Sequence, residues 1–233
     1  MDRAQLEEEV RRRYWFHRFE IAPGLWTEGH YQADPAGLFA HMGFPPEMSG
    51  MRALDMGCAD GLFAIEMARR GAEVTAVDVF PPDFRNVEFL SALWQIPVTY
   101  VQSTIYEFQG EPFDLIFASG VLYHLQYPLL GLHRLNALCA MGGKMILESH
   151  VDRGRRLRMT FLPGRELNDD PSNWWIPTVR CFEAMARSAG FEIEKAVRPA
   201  PHRWMMRVRK GRECPPAFTP DEVMMANFGT GAS

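Results

Sequence analysis

The segment ALDMGCADGLFAIEMARRGAEVTAVDV, residues 53–79, constrains the fold more than any other part of the chain. It runs through an apolar stretch ending in Asp55, a turn of small residues, an amphipathic stretch from about Leu62, and a second apolar stretch ending in Asp78. The same alternation continues through VEFLSALWQ (helix), VTYVQ (strand), FDLIFASG (strand), LLGLHRLNALCA (helix) and GKMILESH (strand). Strands alternating with helices predict an α/β fold, a largely parallel sheet with helices on both faces. After the helix FEAMARSAG, the strands FEIEKAV and HRWMMRVRK lie close enough in sequence to pair antiparallel.

Upstream, Leu6, Val10 and Tyr14 share one face of an amphipathic helix read over residues 2–16, which leads into PGLWTEGHY, read as a loop. A second helix is expected over 34–43, with Asp34 as its N-cap and Pro35 in its first turn. The organisation expected is an N-terminal helical and aromatic cap segment over residues 1–50, a ligand-binding domain over 51–214, and a loosely ordered tail over 215–233.

Bulk properties narrow the class. With 233 residues, 47% of them apolar, there is material for one sizeable core. The net charge of -4 advertises no general polyanion-binding surface. Cys58, Cys139, Cys181 and Cys214 form no CxxC pair, which argues against a zinc site or disulfide framework, and no metal is expected. No window approaches the ~18 uninterrupted apolar residues of a membrane span, so the expectation is a cytoplasmic protein without a membrane partner. The fourteen methionines and the apolar stretch Val223 to Phe228 suit either a homodimer surface or core filling.

The turn after the first strand carries the chemistry. Gly57, Cys58, Ala59, Asp60 and Gly61 bring backbone N–H groups and a close backbone surface to the sheet's C-terminal edge. Asp78 follows Gly57 by 21 residues at the tip of the next strand, where its carboxylate can accept from both hydroxyls of a ribose. A dinucleotide turn reads GxGxxG and needs no acid before it. Here the spacing is DxGxAxG, with Ala64 where a third glycine would stand. An acid there suits the ammonium and sulfonium of S-adenosylmethionine better than a pyrophosphate, with dinucleotide binding the alternative. Asp55 and Asp60 also suit the plainer role of capping the following helix.

FASGVLYHL brings Ser119, Gly120, Tyr123 and His124 to the same edge. With this motif the chain resembles the class I, Rossmann-like S-adenosylmethionine-dependent methyltransferases, and more narrowly the branch containing the bacterial tRNA wobble-uridine (U34) methyl- and carboxymethyltransferases. WFHRFEI, GLWTEG, LDMGCADGLFAIEMARRGAEVTAVDV, FDLIFASGVLYHL, GGKMILESHV and NWWIPT carry the resemblance, which spans about Trp15 to Val197. It implies a seven-stranded, mostly parallel sheet whose last strand is antiparallel. It departs from the carboxymethyl enzyme in lacking an extra N-terminal helical region and a basic segment before Trp26. Of that enzyme's carboxylate-binding set, Tyr123 alone has a counterpart, so ordinary methyl donation is expected.

Methyl transfer from a sulfonium is an in-line displacement that alignment accelerates strongly, and a base near a protonated acceptor adds ~10²–10⁴-fold. His124 is the first candidate base, Tyr123 an orienting residue, and His150 the second candidate. Each histidine also fits a plain hydrogen-bonded place in its turn. Adenine is expected against Ser103, Thr104 and Ile105, with Val79 beside and Phe80 covering its ring, while Phe63 starts the helix. His17, Trp26 and His30 either close over the donor or pack on the sheet edge. DRGRRLRMTFLPGR, residues 152–165, holds five arginines, among them Arg155 and Arg165, for a phosphate or carboxylate on the acceptor, or else forms a solvated loop. Trp174 and Trp175 offer an aromatic wall, or the packing that anchors this insertion. The expected activity is methyl transfer to oxygen or nitrogen of a small, anionic or aromatic acceptor. The alternatives are a tRNA modifier that stacks a base on the tryptophans, and a donor-binding module without catalysis.

Overall fold

The computed structural model describes residues 1–80 and 86–214. The expected tail over 215–233, with its apolar stretch, lies outside the described residues. Helix α1 (Arg3–Arg12) begins with a capping box in which Asp2 and Gln5 exchange hydrogen bonds. It ends four residues earlier than its spacing suggests. Trp15 turns inward instead, its indole N–H donating to Val10 O at 2.8 Å, and it is 3% exposed. Tyr14 is left half exposed, while Leu6 and Val10 stay buried.

The segment that follows is not the loop expected. It forms the short strands β1 (His17–Arg18), β2 (Glu20–Ala22), β3 (Leu25–Trp26) and β4 (Tyr31–Gln32), pairing β1 with β4 and β2 with β3. The Thr27 hydroxyl accepts from Phe19 N and donates to His17 O, which ties the two pairs together. Gly29 makes the crossing feasible, since a Cβ there would lie 2.1 Å from the His17 carbonyl carbon. Helix α2 (Pro35–Met42) follows the sequence closely, with Asp34 accepting from Gly37 N and Gly43 closing the helix at φ 74°.

The sheet is built from β5 (Arg52–Met56), α3 (Leu62–Arg69), β6 (Glu73–Asp78), α4 (Asn86–Trp94), β7 (Thr99–Gln102), β8 (Phe113–Ser119), α5 (Pro128–Leu138) and β9 (Cys139–His150). A hairpin of β10 (Met159–Phe161) and β11 (Trp175–Pro177) precedes α6 (Val179–Ser188), β12 (Phe191–Val197) and β13 (Arg203–Lys210). The seven strands lie in the order β12-β13-β9-β8-β5-β6-β7. β13 runs antiparallel to both its neighbours, and β5 to β9 are mutually parallel. Both faces of the central strands are buried. Leu54, Ile116 and Met145 pack on one side with Phe182 of α6, and Ala53, Phe117 and Ile146 on the other with Phe39 of α2.

The antiparallel strand matters for the site. Parallel strands deliver their C-terminal residues to the ligand edge, whereas β13 delivers its first residue, so Arg203 sits opposite His150 in register. The N-terminal segment packs through Trp15, Phe19 and Ile21 against Leu62, Ile65 and Leu90 of α3 and α4. Among the described residues no helix is long and apolar enough to cross a membrane.

Candidate active site

Gly57, Ala59 and Gly61 all adopt left-handed backbone conformations, at φ 78°, 49° and 80°. At Gly57 a Cβ would stand 2.3 Å from Val121 Cγ2, and at Gly61 2.5 Å from Val87 Cγ2, so both glycines are needed for close approach as well as for φ. Ala59 tolerates its conformation because Ala59 N donates to Asp78 Oδ2 at 2.8 Å. The N–H groups of this turn are largely consumed within the protein: Gly57 and Cys58 donate to Val77 O, and Gly61 donates to Cys58 O. The open row of donors expected from the sequence is therefore absent for these residues.

Carboxylates converge there instead. Asp55, Asp60 and Asp78 are 2%, 2% and 8% exposed. Burial and the charge of Asp78 push the Asp55 carboxyl well above the usual range, with Asp60 adding to the shift. Burial also raises Asp78, opposed by the N–H groups of Ala59, Phe80 and Val79 and by nearby His124. Cys58, buried beside the three acids, has its thiol pushed up by burial and by their charges. Asp60 does not cap α3, whose N-cap Gly61 receives no side-chain bond. Its two oxygens are taken by His17, from N at 2.8 Å and Nδ1 at 2.6 Å. Because the folded pKa of Asp55 lies above its unfolded value, the unfolded chain releases that proton first. Stability therefore falls as pH rises from the ordinary carboxylate range through the raised value. Asp55→Asn, which removes this cost, is expected to raise the Tm of the ligand-free protein at neutral pH by about 2–4 °C, as ~1 kcal/mol does in a domain of this size, measured by calorimetry.

Next to this cluster, Asp78 Oδ1 accepts from Val79 N and Phe80 N, so both residues are held at the strand tip, where Val79 is 59% and Phe80 38% exposed. Ser103 N donates to Asp78 O, which brings the end of β7 alongside. The Thr104 hydroxyl is engaged with Glu107, and Ile105 is 4% exposed within the core. The Ile105 side chain packs in the core with Leu125 and Leu132.

At the neighbouring ends of β8, β9 and β13 lies an ion pair that the sequence reading missed. Glu148, 2% exposed, accepts from Ser119 Oγ at 3.0 Å, Gly120 N at 2.9 Å and Arg203 Nη2 at 2.6 Å, and Arg203 Nε completes a bidentate pair. Arg203 Nη1 also donates to the Tyr123 hydroxyl at 3.1 Å. Arg203 is stabilised in its charged form by Glu148, which outweighs its burial. Burial is the main cause of the raised Tyr123 pKa. An acid in an otherwise apolar strand, ILESH, was the available signal. Arg203 was hidden because its importance depends on the reversed direction of β13.

His124 lies in a single 3-10 turn, Leu122–His124, its ring 4.4 Å from that of Tyr123. Its Nδ1 is 2.9 Å from Ser172 Oγ. Burial lowers its pKa, against the opposing charge of Asp170, so it favours the neutral imidazole. His150 stacks on His202, with ring centroids 5.5 Å apart, and burial together with Arg203 lowers it too. The β10–β11 hairpin docks on the same turn, since Trp174 N donates to Tyr123 O and Trp175 Nε1 to Gln126 O. Both tryptophans are half-buried and pack on Phe161. The arginines of the loop are exposed: Arg158 pairs with Asp152, Arg165 with Asp169, and the Arg155 carbonyl accepts from Arg180. His17 reaches the turn through Asp60, with Phe63 packing between its ring and Phe117. Trp26 and His30 are exposed, Trp26 beneath the Arg18 guanidinium.

Residues 28–196, most of the chain, match the family described as methyltransferase domain. The chain belongs to that family. Curated relatives of this methyltransferase include the tRNA U34 carboxymethyltransferase of Pseudomonas aeruginosa strain LESB58, 31% identical over 65% of this chain and 48% of the relative. The protein of the same name from Idiomarina loihiensis is 30% identical over 63% and 47%. The methyltransferase chain thus spans about half the length of the curated relatives it matches. Among solved structures, Burkholderia thailandensis 1,6-didemethyltoxoflavin-N1-methyltransferase, with 1,6-didemethyltoxoflavin and S-adenosylhomocysteine bound, superposes at TM-score 0.61 with 24% identity over 76% of each chain. The N-terminal domain of EvdMO1, with S-adenosylhomocysteine and D-fucose, superposes at 0.67 with 18% identity over 90% of this methyltransferase and 97% of that chain. These likenesses establish the class I, Rossmann-like fold of the methyltransferase.

Proposed function

We propose that the chain transfers the methyl of S-adenosylmethionine to oxygen or nitrogen of a small acceptor, anionic or aromatic. The observation that carries this reading is the C-terminal edge of the sheet, where buried carboxylates converge and the N–H groups of Gly57, Cys58, Ala59 and Gly61 are already bonded within the protein. A pyrophosphate needs open N–H donors and is repelled by carboxylates; a ligand carrying an ammonium and a sulfonium relieves the burial of those charges. Family membership and solved relatives carrying S-adenosylhomocysteine support the same donor.

On this reading Asp78 receives the ribose hydroxyls, Phe80 and Val79 flank the adenine beside Ser103 and Thr104, and Asp55 supplies negative potential beneath the turn. Ser119 and Gly120 border the donor from the Glu148 side. Residues 51–214 form the donor-binding domain, with residues 1–50 capping it through His17 on Asp60. The sulfonium, when bound, supplies a methyl carbon open to displacement. The chain's own contribution is alignment of the acceptor on the wall formed by Tyr123 and His124, removal of an acceptor proton by His124, and recognition of an acceptor anion by Arg155 and its neighbours. Phe161, Trp174 and Trp175 offer a planar acceptor an aromatic surface.

A second reading, transfer to tRNA, is favoured by the names of the relatives near 30% identity and by the exposed arginines. Incubation with S-adenosylmethionine and either a metabolite extract or bulk tRNA, followed by mass analysis, separates the two. The small-acceptor reading predicts one added methyl on a metabolite and weak dependence on salt. Modification confined to tRNA, with affinity falling steeply as salt rises, overturns it.

A further inference from the structure

We propose that Ser172 and Asp170 are positioning residues that fix His124 in one tautomer and present its Nε2 as the general base. This rests on the reading of an acceptor that carries a proton. The Ser172 hydroxyl lies 2.7 Å from Asp170 Oδ1, and that oxygen also accepts from Ser172 N at 2.8 Å. An ionised carboxylate has no proton to give, so the hydroxyl hydrogen points to Asp170. Ser172 Oγ must then accept from His124, 2.9 Å away, and Nδ1 must carry the proton. A second, independent contact agrees, because Nδ1 is 3.4 Å from the Ser172 carbonyl, which can only accept. With Nδ1 protonated, the Nε2 lone pair is the basic position, and Nε2 has no hydrogen-bond partner among the described residues.

As the bond from methyl carbon to the acceptor atom forms, the carbon–sulfur bond breaks and its electron pair stays on sulfur. The acceptor proton passes to Nε2, and the imidazolium so formed keeps its Nδ1–H on Ser172, with Asp170 behind it. Asp78 from β6 and Asp170 from the hairpin favour that cation, while Arg203 from β13 and burial oppose it. The hairpin that would shape the acceptor site also sets the proton inventory of the base, since it contributes Ser172, Asp170 and Trp174, which bonds Tyr123 O.

The test is two-bond 1H–15N NMR of 15N-histidine-labelled, ligand-free protein at pH 8, with the His124 signals assigned by comparison with His124→Gln. The expected spectrum shows a protonated Nδ1 and a bare Nε2. Asp170→Asn, whose amide can donate to Ser172 Oγ and reverse the chain, is expected to shift His124 toward the Nε2–H form. It should also lower kcat about 10-fold, in line with partial loss of a positioned base, and move the acidic limb of the kcat profile to lower pH without changing donor affinity. Ser172→Ala, which cuts the link to Asp170 but keeps the main-chain carbonyl beside Nδ1, should lower kcat and move the acidic limb in the same direction while His124 stays in the Nδ1–H form. A bare Nδ1 in the wild-type protein that binds the donor overturns the relay alone. An Nδ1–H signal in a protein that binds no donor overturns the methyltransferase reading, and the base role falls with it. An unaltered tautomer in Asp170→Asn, with an unaltered pH profile in both variants, also overturns the relay.

Discussion

Asp78→Asn is expected to weaken S-adenosylmethionine binding about 100-fold, read by isothermal titration. A hydrogen bond to a charged group contributes about 1.5–3 kcal/mol, and the asparagine keeps one acceptor while losing the charge and the other. A loss of about 2.7 kcal/mol corresponds to that factor. The effect extends past the ribose because Asp78 also receives Ala59, Val79 and Phe80 N–H groups and so joins the tips of the first two strands of the site. Stability of the ligand-free protein should change little, since relief of the buried carboxylate offsets the acceptor that the backbone N–H groups lose. Binding within threefold of wild type would remove Asp78 from the donor site.

Arg203→Ala has the largest expected effect on stability. It leaves Glu148, 2% exposed, as an uncompensated buried charge with Ser119 and Gly120 as its remaining partners. Breaking a buried pair on one side costs about 3–5 kcal/mol, and the lower end applies because the Arg203 side chain keeps 30% of its surface in solvent. A Tm drop of about 6–12 °C follows from ~2–4 °C per kcal/mol in a domain of this length. The double change Arg203→Ala with Glu148→Gln should recover much of the loss, because no buried charge then remains. A drop as large in the double variant would mean that Arg203 acts by packing on the Tyr123 ring, 5.2 Å from its guanidinium carbon, and not by neutralising Glu148.

What the sequence made legible follows the physics of local pattern. Strand-turn-helix alternation set the order of β5 to β9, because each buried strand writes an apolar run and each helix an amphipathic one. Asp34 and Pro35 announced α2 through capping chemistry that is wholly local. Trp15 was misread because helical spacing carries Tyr14 onto the apolar face, whereas the larger gain comes from burying Trp15 beside Phe19, their rings 5.6 Å apart and edge to face. The pairing of β1 with β4 was invisible for a similar reason: two-residue strands have no period to detect.

The site was half legible. Asp55, Asp78, Ser119, Tyr123 and His124 stand out at strand tips, and the structure brings them to one edge. Glu148, Arg203 and Ser172 could not be seen, because each acquires its meaning from a partner 28 to 80 residues away, such as Gly120 for Glu148 and Tyr123 for Arg203. Asp60 was read toward the ligand or the helix, yet both its oxygens serve His17, a contact across 43 residues.

The most direct measurement is calorimetric titration of the wild-type protein with S-adenosylmethionine and, separately, with NAD. A donor site built on Asp55 and Asp78 predicts saturable binding of the sulfonium ligand and no heat from the dinucleotide. Binding of NAD with no response to S-adenosylmethionine would contradict it.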